Sequence, residues 1–270
     1  MVKFRTYGNP PFQIALIHGG PGAAGEMEPV ARALSEKTGI LEPIQNELTV
    51  QGQIDELHEV LLDHADSPVI LIGHSWGAWL SFIYAAKYPA KVKKLILVGS
   101  GPFEEHFVEH ISANRLNRLS EVERTEYLHL LDVLHDADSG KEKGQLDRLG
   151  ELAGRADRFE PLSELPCATP AKQLTENPER IYAGVWPEAA QLRKSGELLR
   201  LGSLITCPVV AIHGRQDPHP FDGVQEPLSR ILKDFRMVVL DRCGHTPWLE
   251  KYACDAFYAL LEKEIMETDR

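Results

Sequence analysis

The 270-residue chain has no run approaching the ~18 consecutive apolar residues of a membrane-spanning helix, which argues against an integral membrane protein. Its opening, Met1-Val2-Lys3-Phe4-Arg5-Thr6-Tyr7-Gly8, lacks the apolar core of a signal peptide, so a cytoplasmic location is expected. Positive charge is in deficit: 29 Lys+Arg face 40 Asp+Glu, a formal net charge of -11. No basic cluster offsets that balance, so nucleic-acid binding is not expected. Lys91, Lys93 and Lys94 read as a solvated turn before a strand. Cysteine is scarce, and Cys167, Cys207, Cys243 and Cys254 show no short metal-ligand spacing. They are expected as reduced thiols, with Cys243, two residues before His245, exposed to oxidation if it faces a cleft. Internal repeats and low-complexity tracts are missing as well.

What the chain does have is a rhythm. Short apolar runs without clean alternation occur at Phe12–Ile17, Pro68–Ile72, Leu95–Val98, Val209–Ile212 and Met237–Leu240, with a weaker one at Ile40-Leu41. Strands buried on both faces read this way. Val2–Tyr7 could add an edge strand. Helical patterns lie between the runs. Glu28 to Lys37 has Pro29 in its first turn and Gly39 as a C-terminal cap. Ile54, Leu57, Val60, Leu61 and Ala65 share a face, as do Trp79, Leu80, Ile83 and Ala86. Leu249, Ala253, Phe257, Leu260 and Ile265 recur at helical spacing after Thr246 and Pro247, which suit a cap and a first turn. The expected fold class is α/β: a mainly parallel central sheet with helices on both faces. The alternation stops between about Gly101 and Leu204, where only helices and loops are expected. Ser120-Glu121-Val122-Glu123 is a capping box ahead of a helix with Leu128, Leu131 and Leu134 on one face. The expected organisation is therefore a core of residues 1–100 and 205–270 carrying a helical cap at 101–204.

Ser75 lies in Gly73-His74-Ser75-Trp76-Gly77, a G-x-S-x-G pentapeptide between an apolar run and a helical stretch. Strand, glycine-flanked serine and helix make a nucleophile elbow, in which a strained turn lifts the hydroxyl to a helix N-terminus. A serine hydroxyl needs a base, and the base needs an orienting acid. Asp217 and His245 each follow an apolar run, so all three belong at the C-terminal edge of a parallel sheet. Asp222 and Asp241 are less well placed acids. Acyl transfer also needs oxyanion donors. The backbone N–H of Trp76 is one, and His18-Gly19-Gly20-Pro21-Gly22 supplies the other from a loop whose glycines permit close approach. His18 is expected to hold that loop and His74 to pack behind the nucleophile. His213, His219 and Asp217 could together suggest a metal, against which no further ligand pair stands in the sequence. Trp79 is expected in the core and Trp76 either there or in an acyl pocket. Trp186, Phe103 and Phe107 suit a cleft wall or the cap's own core.

Ser75, Asp217 and His245, in that order, resemble the α/β-hydrolase superfamily over nearly the whole chain. Within it, HGGPG at 18–22 with GHSWG at 73–77 looks most like the proline iminopeptidase branch. That resemblance implies an oxyanion hole of the Gly20 and Trp76 N–H groups and acidic cap residues that hold a substrate's α-amine; Glu104 and Glu105 are the acids nearest the cap's start. The D-Q-R-G motif usual in the branch has no counterpart in Ile40–Glu47, so the resemblance carries the superfamily further than the substrate.

The expected activity is cleavage of a small carboxylic ester, amide or short peptide by Ser75, His245 and Asp217 through an acyl-enzyme, with no cofactor and no metal. A serine at the elbow speaks against the aspartate-dependent dehalogenases and epoxide hydrolases. A proline iminopeptidase-like aminopeptidase, a carbon–carbon bond hydrolase and a non-catalytic ligand receptor on the same fold are the alternatives. The oligomeric state is left open.

Overall fold

The computed structural model describes residues 3–135 and 144–267. Seven strands form one sheet: β1 (Phe4–Tyr7), β2 (Ile14–Ile17), β3 (Ile40–Pro43), β4 (Val69–His74), β5 (Val92–Val98), β6 (Val209–Gly214) and β7 (Phe235–Leu240), in the order β1-β3-β2-β4-β5-β6-β7. Only β1 is antiparallel, paired to β3 at the edge. The remaining pairings are parallel.

The apolar runs lack alternation because both sheet faces are covered. In β4, Leu71 packs with one cluster while Ile70 and Ile72 pack with the other, and all three are buried. Helices α1 (Glu28–Leu34) and α11 (Cys254–Met266) contribute Val30, Leu34, Phe257 and Leu261 to one face. Helices α2 (Val50–His64), α3 (Trp76–Lys87) and α10 (Asp222–Ile231) cover the other through Leu57, Leu80 and Leu228.

Between β5 and β6 the described residues form helices α4 (Val108–Leu116), α5 (Glu121–His135), α6 (Gln145–Asp157), α7 (Ala171–Leu174), α8 (Pro178–Lys194) and α9 (Glu197–Arg200). Helices α5 and α6 build a small core of their own around Tyr127, Leu130 and Leu152. Helix α8 instead joins the main core through Ile181, Val185 and Ala189. The Ser120–Glu123 capping box forms: the Ser120 N–H donates to Glu123 Oε2 at 2.9 Å, and the Glu123 N–H to Ser120 Oγ at 3.4 Å.

Three expectations need correction. The buried face of α5 is Tyr127 and Leu130, with Leu131 of the expected row partly buried against the same core; Leu128 is 48% exposed, and the Leu134 side chain lies outside the described residues. An aromatic ring outweighed the leucine spacing. Lys93 and Lys94 belong to β5, where Lys94 is buried against Glu264 at 2.8 Å. Charge alone could not reveal that partner, 170 residues away. Helix α1 ends at Leu34 with Ser35 as its cap, and Gly39 instead lets the chain pass the Asn9 carbonyl. Among the described residues, no helix is long and apolar enough to cross a membrane.

Candidate active site

Ser75 occupies a one-residue turn between β4 and α3, with φ 53° and ψ -115°. A non-glycine residue rarely adopts such angles, and the surroundings must enforce it. Here they do. The Ser75 N–H donates to the Val98 carbonyl at 2.9 Å, and a Cβ at Gly73 or Gly77 would overlap backbone carbonyls. The hydroxyl makes no hydrogen bond to any described residue and stands partly exposed at the N-terminus of α3.

The loop after β2 lies against it: a Cβ at Gly19 would be 3.1 Å from the Ser75 Cβ. The Gly19 carbonyl accepts from His18 Nδ1 at 2.9 Å and from the Ala23 N–H at 3.3 Å. His18 Nε2 accepts the Gln45 N–H at 3.4 Å, so both ring nitrogens of this buried histidine are used. In a trans peptide the N–H opposes the carbonyl. Fixing the Gly19 carbonyl therefore turns the Gly20 N–H the other way. Neither that N–H nor the Trp76 N–H is taken by another described group. His18 is thus a loop-holding residue, as expected. The Trp76 indole donates to Gln53 Oε1 at 2.9 Å and is buried toward α2, so it does not line an acyl pocket.

Asp217 and His245 come from the loops after β6 and β7. They meet at 2.8 Å, Asp217 Oδ2 to His245 Nδ1, and both are buried. Burial opposes ionisation of Asp217, but His245, His213 and His219 outweigh it and hold the carboxyl well below its ordinary range. Burial likewise works against a charged His245, and the adjacent Asp217 carboxylate overcomes it, so the imidazole is a stronger base than usual. The His245 loop is pinned from two sides: its N–H donates to the Asp157 carbonyl at 2.8 Å, and its carbonyl accepts from His74 Nε2 at 3.1 Å. His74, next to Ser75 in the chain, has its ring centroid 4.7 Å from that of His245. Asp241 is spent on Arg215 at the surface, and Asp222 opens α10, so neither competes with Asp217.

Several residues around the site gave no sequence signal. Glu26 Oε1 accepts the Gly19 N–H at 2.5 Å and lies 2.6 Å from His74 Nδ1, joining the loop after β2 to the turn that carries Ser75. Burial opposes the Glu26 charge, and His74 more than compensates, so its carboxyl is held down. Glu250 is fully buried and accepts N–H groups of Phe159, Glu160 and Gly244 at 2.8, 2.8 and 3.0 Å, tying the helical insertion to the His245 loop. Asp157, at the end of α6, takes a two-pronged ion pair from Arg115 at 2.7 and 2.8 Å. Each depends on contacts over tens of residues, which local spacing does not encode.

Asp217, His219 and His245 present ligand-type atoms within 4.8 Å of one another. Both Nδ1 atoms face the Asp217 carboxylate at hydrogen-bond distance, 2.9 Å from His219 and 2.8 Å from His245. His213 Nε2 faces the same carboxylate at 3.2 Å and the His219 carbonyl at 2.9 Å. Cys243 is fully buried and burial pushes its thiol pKa up, which removes the expected exposure to oxidation. Glu104 and Glu105 are ion-paired with Arg230 and Arg193 at 2.7 and 2.9 Å, leaving neither free for a substrate amine. Trp79 is core and stacks on Trp186 of α8 with centroids 6.1 Å apart, while Phe103 is wholly buried beside it and Phe107 nearly so.

Comparison with known proteins bears on the fold and the family. A pimeloyl-[acyl-carrier protein] methyl ester esterase of Nitrosomonas europaea is 24% identical over 267 residues, covering 92% of this chain and 94% of that protein. Another, from Neisseria meningitidis serogroup A, is 26% identical over 216 residues; the match covers 77% of this chain and spans 60% of that relative's length. Among solved structures, VinJ aligns with a TM-score of 0.74 at 20% identity, covering 98% of this chain and 94% of its own. The proline iminopeptidase of Mycobacterium smegmatis aligns at 0.64 and 16%, with the same coverage, and at such identities the likeness concerns the fold. The family model for the alpha/beta hydrolase fold matches residues 42–252, and the chain belongs to that family and is a hydrolase.

Proposed function

We propose that the chain is a serine hydrolase acting on a small carboxylic ester, with Ser75 as nucleophile, His245 as proton carrier, Asp217 as the orienting acid, and the Gly20 and Trp76 N–H groups as oxyanion donors. The observation that carries this reading is the buried 2.8 Å Asp217–His245 contact beside a serine held at φ 53°. Ser75 Oγ attacks the acyl carbon as His245 Nε2 takes its proton, and the carbonyl oxygen becomes an oxyanion facing the two N–H groups. Collapse expels the alcohol, which receives that proton, and leaves an ester on Ser75. Water, deprotonated by His245, then releases the acid and restores the serine. This sequence calls on no cofactor.

Residues 101–204 act, on this reading, as a cap closing the site from above, since the Asp157 carbonyl and the Phe159 and Glu160 N–H groups bond the His245 loop and Glu250. The esterase relatives favour an ester over an amide. The HGGPG loop keeps an aminopeptidase in play, although the ion-paired Glu104 and Glu105 do not favour it. The test is p-nitrophenyl butyrate, prolyl-p-nitroanilide and its N-acetylated form, each with wild type and Ser75→Ala. Ester turnover lost in the alanine variant is expected. Ser75-dependent cleavage of the free prolyl amide but not the acetylated one would move the assignment to an aminopeptidase. Full turnover by Ser75→Ala would overturn the mechanism.

A further inference from the structure

The Asp217 carboxylate faces three imidazoles, two of them through their Nδ1 atoms and His213 through Nε2 at 3.2 Å. Oδ2 faces His245 Nδ1 at 2.8 Å, while Oδ1 accepts both the His219 N–H at 2.8 Å and His219 Nδ1 at 2.9 Å. The His219 ring lies over that of His245, centroids 4.4 Å apart and planes 26° from parallel. An orienting acid needs only one imidazole partner. A second donor drawn from the same loop, and stacked on the first, has a consequence for the first.

We infer that His219 is a positioning residue: by donating to Asp217 it weakens that carboxylate's pull on His245 and lowers the pH at which His245 becomes a base. The inference rests on the triad reading above. A carboxylate's charge, once shared among several N–H donors, polarises each one less. Burial beside His245 holds the His219 pKa down at about 4, so its Nδ1 donates as a neutral ring. The other groups around the pair do not duplicate this role. His213, at the end of β6, divides its Nε2 between Asp217 and the His219 carbonyl. Arg115 of α4 is paired with Asp157, and the two bear on His245 through opposing charges, Asp157 favouring its protonated form and Arg115 disfavouring it. Arg118, following α4, donates to the Gln216 and Ala156 carbonyls and bears on Asp217 only through its charge. Glu250 is held by three backbone N–H groups, and His74 and Glu26 engage each other beneath the ring.

Two variants separate the hydrogen bond from the ring stack. His219→Phe keeps an aromatic ring over His245 but removes the donor. His219→Asn keeps a donor near the Nδ1 position but removes the ring. The measurement is the titration of His245 by NMR of 13C,15N-histidine-labelled protein, assigned with His245→Gln, alongside the pH profile of kcat/KM. His219→Phe is expected to raise the His245 midpoint by about half to one pH unit, with the rising limb of kcat/KM moving with it, while His219→Asn stays nearer wild type. No shift in His219→Phe, or a shift as large in His219→Asn, would overturn the inference, because loss of the donor would then not be what moves His245; a shift confined to His219→Asn would assign the effect to burial by the ring. Thermal unfolding of both variants checks that they are folded. The NMR titration needs no turnover, so a shifted His245 in an enzyme whose Ser75→Ala variant stays active would sink the triad and leave the tuning intact. A Ser75-dependent enzyme with an unmoved His245 would do the reverse.

Discussion

Replacing Asp217 by Asn changes one atom, and the contacts around it determine the outcome. Three N–H groups point at the carboxylate within 2.9 Å, and one of them, the His219 backbone N–H, cannot change its character. The Asn oxygen must therefore turn to His219, which leaves the Asn NH2 facing His245 Nδ1. Two donors cannot share a hydrogen bond, so His245 gives up its Nδ1 hydrogen and carries the proton on Nε2. In that tautomer it cannot accept a proton from Ser75. A triad acid replaced in this way costs roughly 10⁴-fold in kcat, or about 5.5 kcal/mol of barrier. The KM for p-nitrophenyl butyrate should hardly move, because Asp217 is buried and the loss falls on the transition state. The assay is steady-state hydrolysis across pH 5–9, with circular dichroism to confirm folding. A variant within tenfold of wild-type kcat would refute the reasoning, and so would a loss confined to KM.

Gly20→Ala places a Cβ 2.6 Å from the Gly22 nitrogen and 2.7 Å from that of Ala23, at φ 108°; kcat should fall roughly 10²–10³-fold as the oxyanion donor moves, read on the same ester. Lys94→Met removes the buried cation paired with Glu264 at 2.8 Å, so the chain should lose about 3 kcal/mol in urea unfolding, most of it recovered in Lys94→Met/Glu264→Leu. Glu28 is nearly buried, and its Thr169, Arg32 and Arg5 partners outweigh the burial and lower its pKa from 4.5 to about 2. Its folded pKa lies below the unfolded one, so its contribution is complete above pH 4.5 and disappears as pH falls toward 2. About 3 kcal/mol should be lost over that window in wild type and be missing from the same acid titration of Glu28→Gln.

The sequence by itself determined the sheet and the tight turn that carries Ser75, the proposed nucleophile, because both are written in local patterns. Runs such as Val69–Ile72 read as strands covered on both faces, and the two glycines around Ser75 announced a turn that admits no Cβ. The chain order of Ser75, Asp217 and His245 was legible for a topological reason: parallel strands deliver their following loops to one edge. The tertiary structure alone decided what surrounds those residues. Glu26 finds the Gly19 N–H and His74, Glu250 finds Phe159 and Glu160, and Lys94 finds Glu264, through contacts that span up to 170 positions and leave no periodic trace. The same holds for the buried face of α5, where Tyr127 rather than Leu128 turns inward against Leu152, a partner outside its own helix. Periodicity marks which face of an element is apolar. The partner that receives that face, and the charges that settle beside a catalytic group, follow only once the whole chain has packed.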